Sequence, residues 1–207
     1  MIKDKKIKSF LDMLASKSPT PGGGSTAALV GAMSAALLSM VGNLTIGKEK
    51  YQDVQEDIRR LLKKSEKLRD DFERLIDEDV DAFNQFMAIM KLPKETKEQM
   101  EDRNKKIQTA LIEAANVPLE IARRSRDVLF ICKEISEKGN KNVISDAGVG
   151  AILADATLES AILNVKINLT MIKEKKIKIQ LDNEIKEIRD SVKGKKDNSL
   201  KVVLNRI

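Results

Sequence analysis

Asp79 lies three residues after Ile76, seven after Phe72 and four before Phe83, which places a carboxylate inside an apolar helical stripe. A buried carboxylate is costly unless it is paired, and burial raises its pKa. That is the condition under which an aspartate exchanges protons near neutral pH. The alternative is an ion pair with a Lys or Arg from a neighbouring helix. Arg103, one turn before Ile107, could be that partner, or could hold a substrate carboxylate in its planar fork. Asp146 follows Ser145 at the start of a second apolar segment. There it either complements a helix dipole or aims a carboxylate into a site near the bundle end. Asn164 and Asn168 are four apart on a segment with little solvent face, so they satisfy each other, satisfy a neighbouring helix, or bind a polar ring.

The second feature that could do chemistry is Pro19-Thr20-Pro21-Gly22-Gly23-Gly24-Ser25, followed by Thr26-Ala27-Ala28-Leu29-Val30. Proline stiffens the approach. Glycines allow left-handed angles and close approach of a backbone or ligand. Ser25 reads as a helix N-cap. A glycine loop feeding a helix start presents free N–H groups to an anion or a carbonyl oxygen. No Gly-Lys-Ser/Thr follows, so this is not a Walker phosphate loop. The plain alternative is a tight turn between packed helices.

The inventory limits the chemistry. There is no histidine among the 207 residues, which excludes serine–histidine and cysteine–histidine catalysis and histidine zinc sites. Acid–base work falls to Asp, Glu, Lys, Tyr51 or Cys132. The single cysteine cannot close an internal disulfide and points to a reducing cytosol. Net charge is +6, with lysines crowded at both ends, which suits an anionic substrate. Aromatics are 3% of the chain, too few for a base-stacking platform, so nucleic acid is not an expected partner. No charge falls between Lys17 and Lys48. That segment could be taken for a membrane span, but its alanines, glycines, Ser34, Ser39 and Asn43 fit a buried central helix better. The opening is charged and amphipathic, so no signal peptide and no membrane attachment are expected.

The periodicity predicts an all-α, up-and-down antiparallel bundle in a single domain over 1–207. Helices are expected at Ile2–Ala15, Thr26–Ile46, Tyr51–Met90, Lys97–Lys138, Ser145–Ile172 and around Leu181–Val192, the last within a Lys-rich segment from about 173 that ends in a tail. Thr26–Ile46 and Ser145–Ile172, rich in small residues, should be central. Ridges such as Ala27, Gly31, Ala35 let another helix come close. Pro118 should kink or divide the fourth helix.

Taken in order, several segments resemble the cyclodeaminase/cyclohydrolase family of folate enzymes. They are the Pro19–Ser25 loop, Asn43-Leu44-Thr45 with Gly47-Lys48, Asp79 with Asp81-Ala82-Phe83, Leu92-Pro93-Lys94, Ala114-Ala115, Val117-Pro118-Leu119, Gly139-Asn140, Ser145–Val149 and Asn164–Leu169. The likeness runs from about Phe10 to Ile172 and does not include the Lys-rich C-terminus.

The resemblance implies a cytoplasmic, usually dimeric helical enzyme that handles one-carbon units on tetrahydrofolate, with no metal and no cofactor beyond the folate substrate. Two reactions fit: hydrolysis of 5,10-methenyltetrahydrofolate to 10-formyltetrahydrofolate, or cyclodeamination of formiminotetrahydrofolate with loss of ammonia. Both pass through a tetrahedral carbon between the same nitrogens, so the residue inventory does not separate them. A chain without a fused transferase favours the cyclohydrolase, while a separate formiminotransferase would restore the cyclodeaminase. A non-catalytic helical adaptor is a third reading, but it gives no reason for Asp79. The expected site has Asp79 and Asp146 as catalytic carboxylates. Gly22, Gly23, Gly24 and Ser25 seat the folate with Asn140, Asn164 and Asn168, and Lys94, Arg103 and Lys141 face an anionic, polyglutamylated tail. Asp146 is expected close to the glycine loop if both central helices start at the same end of the site.

Overall fold

The computed structural model describes residues Met1–Ile207. Seven α-helices follow one another: α1 (Ile7–Leu14), α2 (Gly23–Asn43), α3 (Gln55–Met90), α4 (Lys97–Lys138), α5 (Ile144–Met171), α6 (Lys175–Ser191) and α7 (Lys195–Arg206). Short 3₁₀ turns at Glu49–Val54 and Lys141–Val143 precede α3 and α5. The all-helical expectation holds, and the expected bounds of α4 are met. The tail after residue 192 is itself a helix, entered through Gly194 at a left-handed φ of 75°. It packs on α4 and α5 and buries Ser199 and Val203.

α2 and α5 form the centre, as their small and apolar composition requires. They run antiparallel: Gly23 lies against Asn164, Ser34 Oγ donates to the Gly150 carbonyl (2.7 Å), and Gly139, just before α5, lies against Val41. α3 also opposes α2, pairing Gly24 with Asp79, Gly31 with Phe72 and Ser39 with Ser65. At Gly31 a Cβ would fall 2.5 Å from the Phe72 ring, so only glycine permits this approach. Both central helices are long and apolar enough to cross a membrane, but more than half of α2's and half of α5's apolar window is buried within the bundle.

Two local expectations are corrected. Ile2–Ala15 is helical only over Ile7–Leu14, and α1 buries Phe10 alone. Pro118 does not divide α4, which runs unbroken through it. Proline has no N–H, so the Ala114 carbonyl four residues earlier loses its helical donor. The Asn168 side chain, reaching across from α5, donates to that carbonyl (3.3 Å). The hydrogen bond that proline removes is thus compensated from outside the helix.

Candidate active site

Asp79 projects from α3 towards the first turn of α2. Its Oδ2 accepts from the Ser25 N–H (2.8 Å) and from the Ser25 Oγ–H (2.6 Å). The helix start that reads as an anion seat therefore receives the protein's own carboxylate. Ser25 is not the N-cap; Gly22 is, and Ser25 sits in the first turn, fully buried. The glycines are not there for left-handed angles, since the only positive φ values are at Gly47 and Gly194. Gly23 and Gly24 are there for space. A Cβ on Gly24 would lie 2.0 Å from Asp79 Oδ1, and one on Gly23 would lie 3.1 Å from Asn164 Oδ1.

Arg103 is not the partner of Asp79. Its Nη2 donates to the Met90 carbonyl at the end of α3 (2.8 Å), a place where a cation complements the helix dipole. No cation reaches Asp79. Burial pushes its pKa above the ordinary carboxylate value, and the two bonds from Ser25 oppose that rise.

Asp79 borders a cavity of about 320 Å³. Pro19, Thr20 and Gly22–Gly24 form one wall, Ala82, Phe83 and Phe86 a second, and Ala114, Asn164, Ile167, Asn168 and Met171 the remainder. Phe83 and Phe86 continue the α3 stripe, but there they line a cleft, and Val80 is the last buried residue of the helix. Periodicity alone could not see that change. The signal available was their spacing of four and seven from Asp79, which puts all three on one face.

Asn164 is oriented by its own helix, and Asn168 by its own helix and by α4. Asn164 Nδ2 donates to the Ser160 carbonyl (2.8 Å), and Asn168 Nδ2 to the Asn164 and Ala114 carbonyls (3.0 and 3.3 Å). Their side-chain oxygens accept no bond from the protein, and neither does Asp79 Oδ1. None of these oxygens is sealed away from solvent. The lining thus offers three free oxygen acceptors, two phenyl rings and no cationic side chain. Such a surface attracts a planar, N–H-rich group that carries positive charge.

The other expected site residues lie elsewhere. Asn140, Lys141 and Asp146 are at the opposite end of α2 and α5, about 30 Å away at 1.5 Å per residue along the 21 residues of α2. Because α2 and α5 are antiparallel, their starts lie at opposite ends, and the expected proximity of Asp146 to the glycine loop is not met. Asn140 is buried in a structural clasp. Its N–H donates to Thr45 Oγ1 (2.8 Å), its Nδ2 to the Leu44 carbonyl (2.8 Å), and its Oδ1 accepts from the Asn142 N–H (3.1 Å). Lys141 donates its backbone N–H to Tyr51 Oη (2.9 Å) and leaves its side chain exposed. Lys94 is exposed just beyond α3, on the side where Arg103 holds Met90, one turn past Phe86.

A larger groove of about 900 Å³ lies between α4 and α6, but its lining mixes Arg126, Lys176, Asp127, Glu184 and Glu187 at an open surface. It holds no buried titratable group, and the Pro19–Ser25 loop does not reach it.

Comparison with known proteins identifies the family. A family model described as formiminotransferase-cyclodeaminase matches residues 6–187. The chain is similar to the methenyltetrahydrofolate cyclohydrolase of Methylorubrum extorquens, with 51% identity over 168 residues that cover 81% of each protein. It is 31% identical over 189 residues to the formimidoyltransferase-cyclodeaminase of Gallus gallus, covering 91% of this chain and 35% of that longer protein. Among solved structures it resembles the formiminotetrahydrofolate cyclodeaminase of Thermotoga maritima, with a TM-score of 0.89, 31% identity, and coverage of 99% of this chain and 98% of that one.

Proposed function

Because the chain belongs to the formiminotransferase-cyclodeaminase family, we propose that it is a methenyltetrahydrofolate cyclohydrolase whose Asp79 is the general base. The observation that carries this reading is a half-buried carboxylate, unpaired by any cation, in a cleft of oxygen acceptors and phenyl rings. The substrate suits that cleft. In the 5,10-methenyl form one carbon bridges two folate nitrogens as a planar cation. The carboxylate and the ring faces stabilise that charge. Asn164 and Asn168 accept from N–H groups of the ring system, and the N–H groups of Gly23 and Gly24, free in the first turn of α2, seat a carbonyl oxygen.

The step then follows. Asp79 Oδ1 takes a proton from water as the water oxygen bonds to the bridging carbon, giving a neutral tetrahedral adduct. The bond from that carbon to N5 breaks. N5 receives a proton, the adduct hydroxyl loses one, and the carbon becomes the formyl group on N10. One water is consumed and one proton released.

A second reading, formiminotetrahydrofolate cyclodeaminase, is supported by the structural likeness to the Thermotoga maritima protein. The higher identity to the cyclohydrolase favours hydrolysis. Paired assays with methenyl- and formimino-tetrahydrofolate test the choice. Turnover of the methenyl compound alone is expected; release of ammonia from the formimino compound as the faster reaction would reverse it.

The proposal takes the chain as one catalytic unit over 1–207, working in the cytosol, with Lys94 and Arg103 at the side from which a glutamate tail would leave. It extends to a homodimer. Met33 on α2 and Ile152, Leu163 and Ile167 on α5 are 46–69% exposed, an outward apolar face on the two central helices. A second copy packed on that face would cover it, and a monomer in sedimentation at micromolar concentration would remove this part of the proposal.

A further inference from the structure

Ser25 is expected from its place in the glycine loop to touch substrate, but the structure gives it no free group. It is fully buried, and both its N–H and its Oγ–H end on the same oxygen, Asp79 Oδ2. The two donors come from one residue in the first turn of α2, so they fix the carboxylate plane as well as its position. With Oδ2 held, Oδ1 is the oxygen left without a bond, against the Cα of Gly24 and at the cavity wall. A side chain at residue 24 would occupy that place, so the glycine and the serine together define where Oδ1 can be.

We propose that Ser25 is a positioning residue for Asp79: it clamps Oδ2 and so presents Oδ1 to the attacking water. Ser25 acts on the reaction only through the carboxylate. This inference rests on the reading of Asp79 as the base. Two donors on Oδ2 favour the ionised form, and they oppose the desolvation that favours the protonated form. Without Ser25 the resting enzyme would hold more Asp79 in the protonated state, which cannot take a proton from water.

No other charged group competes for this role. The linker before α2 contributes Pro19 and Thr20 to the cavity, α2 its glycines, α4 Ala114, and α5 Asn164, Ile167, Asn168 and Met171. None of these side chains titrates. On α3 itself, Asp81 is exposed, and Asp77 holds the N-terminal segment by accepting from the Ile2 N–H (2.6 Å). No charged side chain contributes to the shift of Asp79.

The test is the pH dependence of kcat/KM for Ser25→Ala and Ser25→Cys beside Asp79→Asn. Asp79→Asn settles the premise, because an enzyme that keeps its turnover without the carboxylate has another base. Granted that premise, Ser25→Ala should lower kcat roughly ten- to hundredfold, the order expected when a reacting group is misplaced by about an ångström, with KM little changed. Its acid limb should move to higher pH, since the bond that favours the carboxylate is lost. Ser25→Cys, similar in size and a weaker donor, should fall between, and it carries the test if the alanine variant does not fold. In the Asp79→Asn background the serine change should cost almost nothing further, because the two residues act as one unit. An acid limb that stays in place, or a loss confined to KM, would overturn the proposal and return Ser25 to the role of an α2–α3 tie.

Discussion

The two ends of α2 use similar residues to opposite effect. At the Gly24 end, glycines, a serine, an aspartate and two asparagines surround a cavity. At the Thr45 end, a glycine, a threonine, asparagines and a tyrosine surround a turn. Around Asn140 each donor and acceptor named above has a protein partner: Thr45, Leu44, Asn142 and Tyr51. Around Asp79 the donors are used to orient side chains, and one oxygen on each of Asp79, Asn164 and Asn168 stays open to the cavity. A satisfied polar cluster holds a fold together; one left partly unsatisfied beside an apolar wall has room for a ligand. The comparison explains why Asn140 and Asn164, both singled out in the sequence, have different surroundings.

The sharpest way to break this contrast is to compare Asp79→Asn with Asn140→Ala. Asp79→Asn should lower turnover by about a hundredfold or more while circular dichroism stays helical. Asn140→Ala should do the reverse. It removes a buried clasp at a cost of about 1–3 kcal/mol, read as a lower urea midpoint, with turnover per folded molecule retained. Turnover lost in the Asn140 variant at full helicity would mean that the Thr45 end also serves the reaction, and the division drawn here would fail.

A smaller effect sharpens the same comparison, because the two ends should respond to pH with opposite sign. Near the Asn140 end, Lys138 and Arg60 form hydrogen-bonded ion pairs with Asp57 and Glu134. The Asp57 pKa is lowered, chiefly by its bond from Lys138; Glu134 is lowered although burial opposes it, through bonds from Lys138 and Arg60. A depressed carboxylate stabilises the fold above its unfolded pKa, and that contribution disappears as pH falls through the folded value. Asp79 is raised, so its charge weighs against the fold once pH climbs above the unfolded value of about 3.9. Urea midpoints across the acid range should therefore show the advantage of wild type over Lys138→Met shrinking as pH falls. The advantage of wild type over Asp79→Asn should shrink as pH rises. The Lys138 effect is small because these side chains are 28–42% exposed and screened by solvent. A parallel response in both variants would show that burial does not dominate at Asp79.

Much of this was legible in the sequence for a physical reason. Periodicity encodes which face of a helix is buried, so the long helices and the two small-residue helices could be placed, and Asp79 stood out because it breaks the pattern of its own stripe. The Pro/Gly loop allowed a close approach as one of its readings, beside left-handed angles and a plain turn. The pattern could not say what approaches. That Gly24 makes room for Asp79, that Ser25 bonds to it, and that Arg103 turns instead to Met90 depend on the register of α2 against α3, which neither helix carries alone. The antiparallel run of α2 and α5 likewise decided that Asp146, Asn140 and Lys141 lie a helix length from the cavity. Pro118 is the plainest case. Its sequence meaning is a missing N–H and a helix expected to bend. Its tertiary meaning is a free Ala114 carbonyl that Asn168 fills from α5, leaving the helix whole and the asparagine oriented at the site. Local chemistry fixes what each residue lacks or offers; only packing decides which neighbour supplies or receives it.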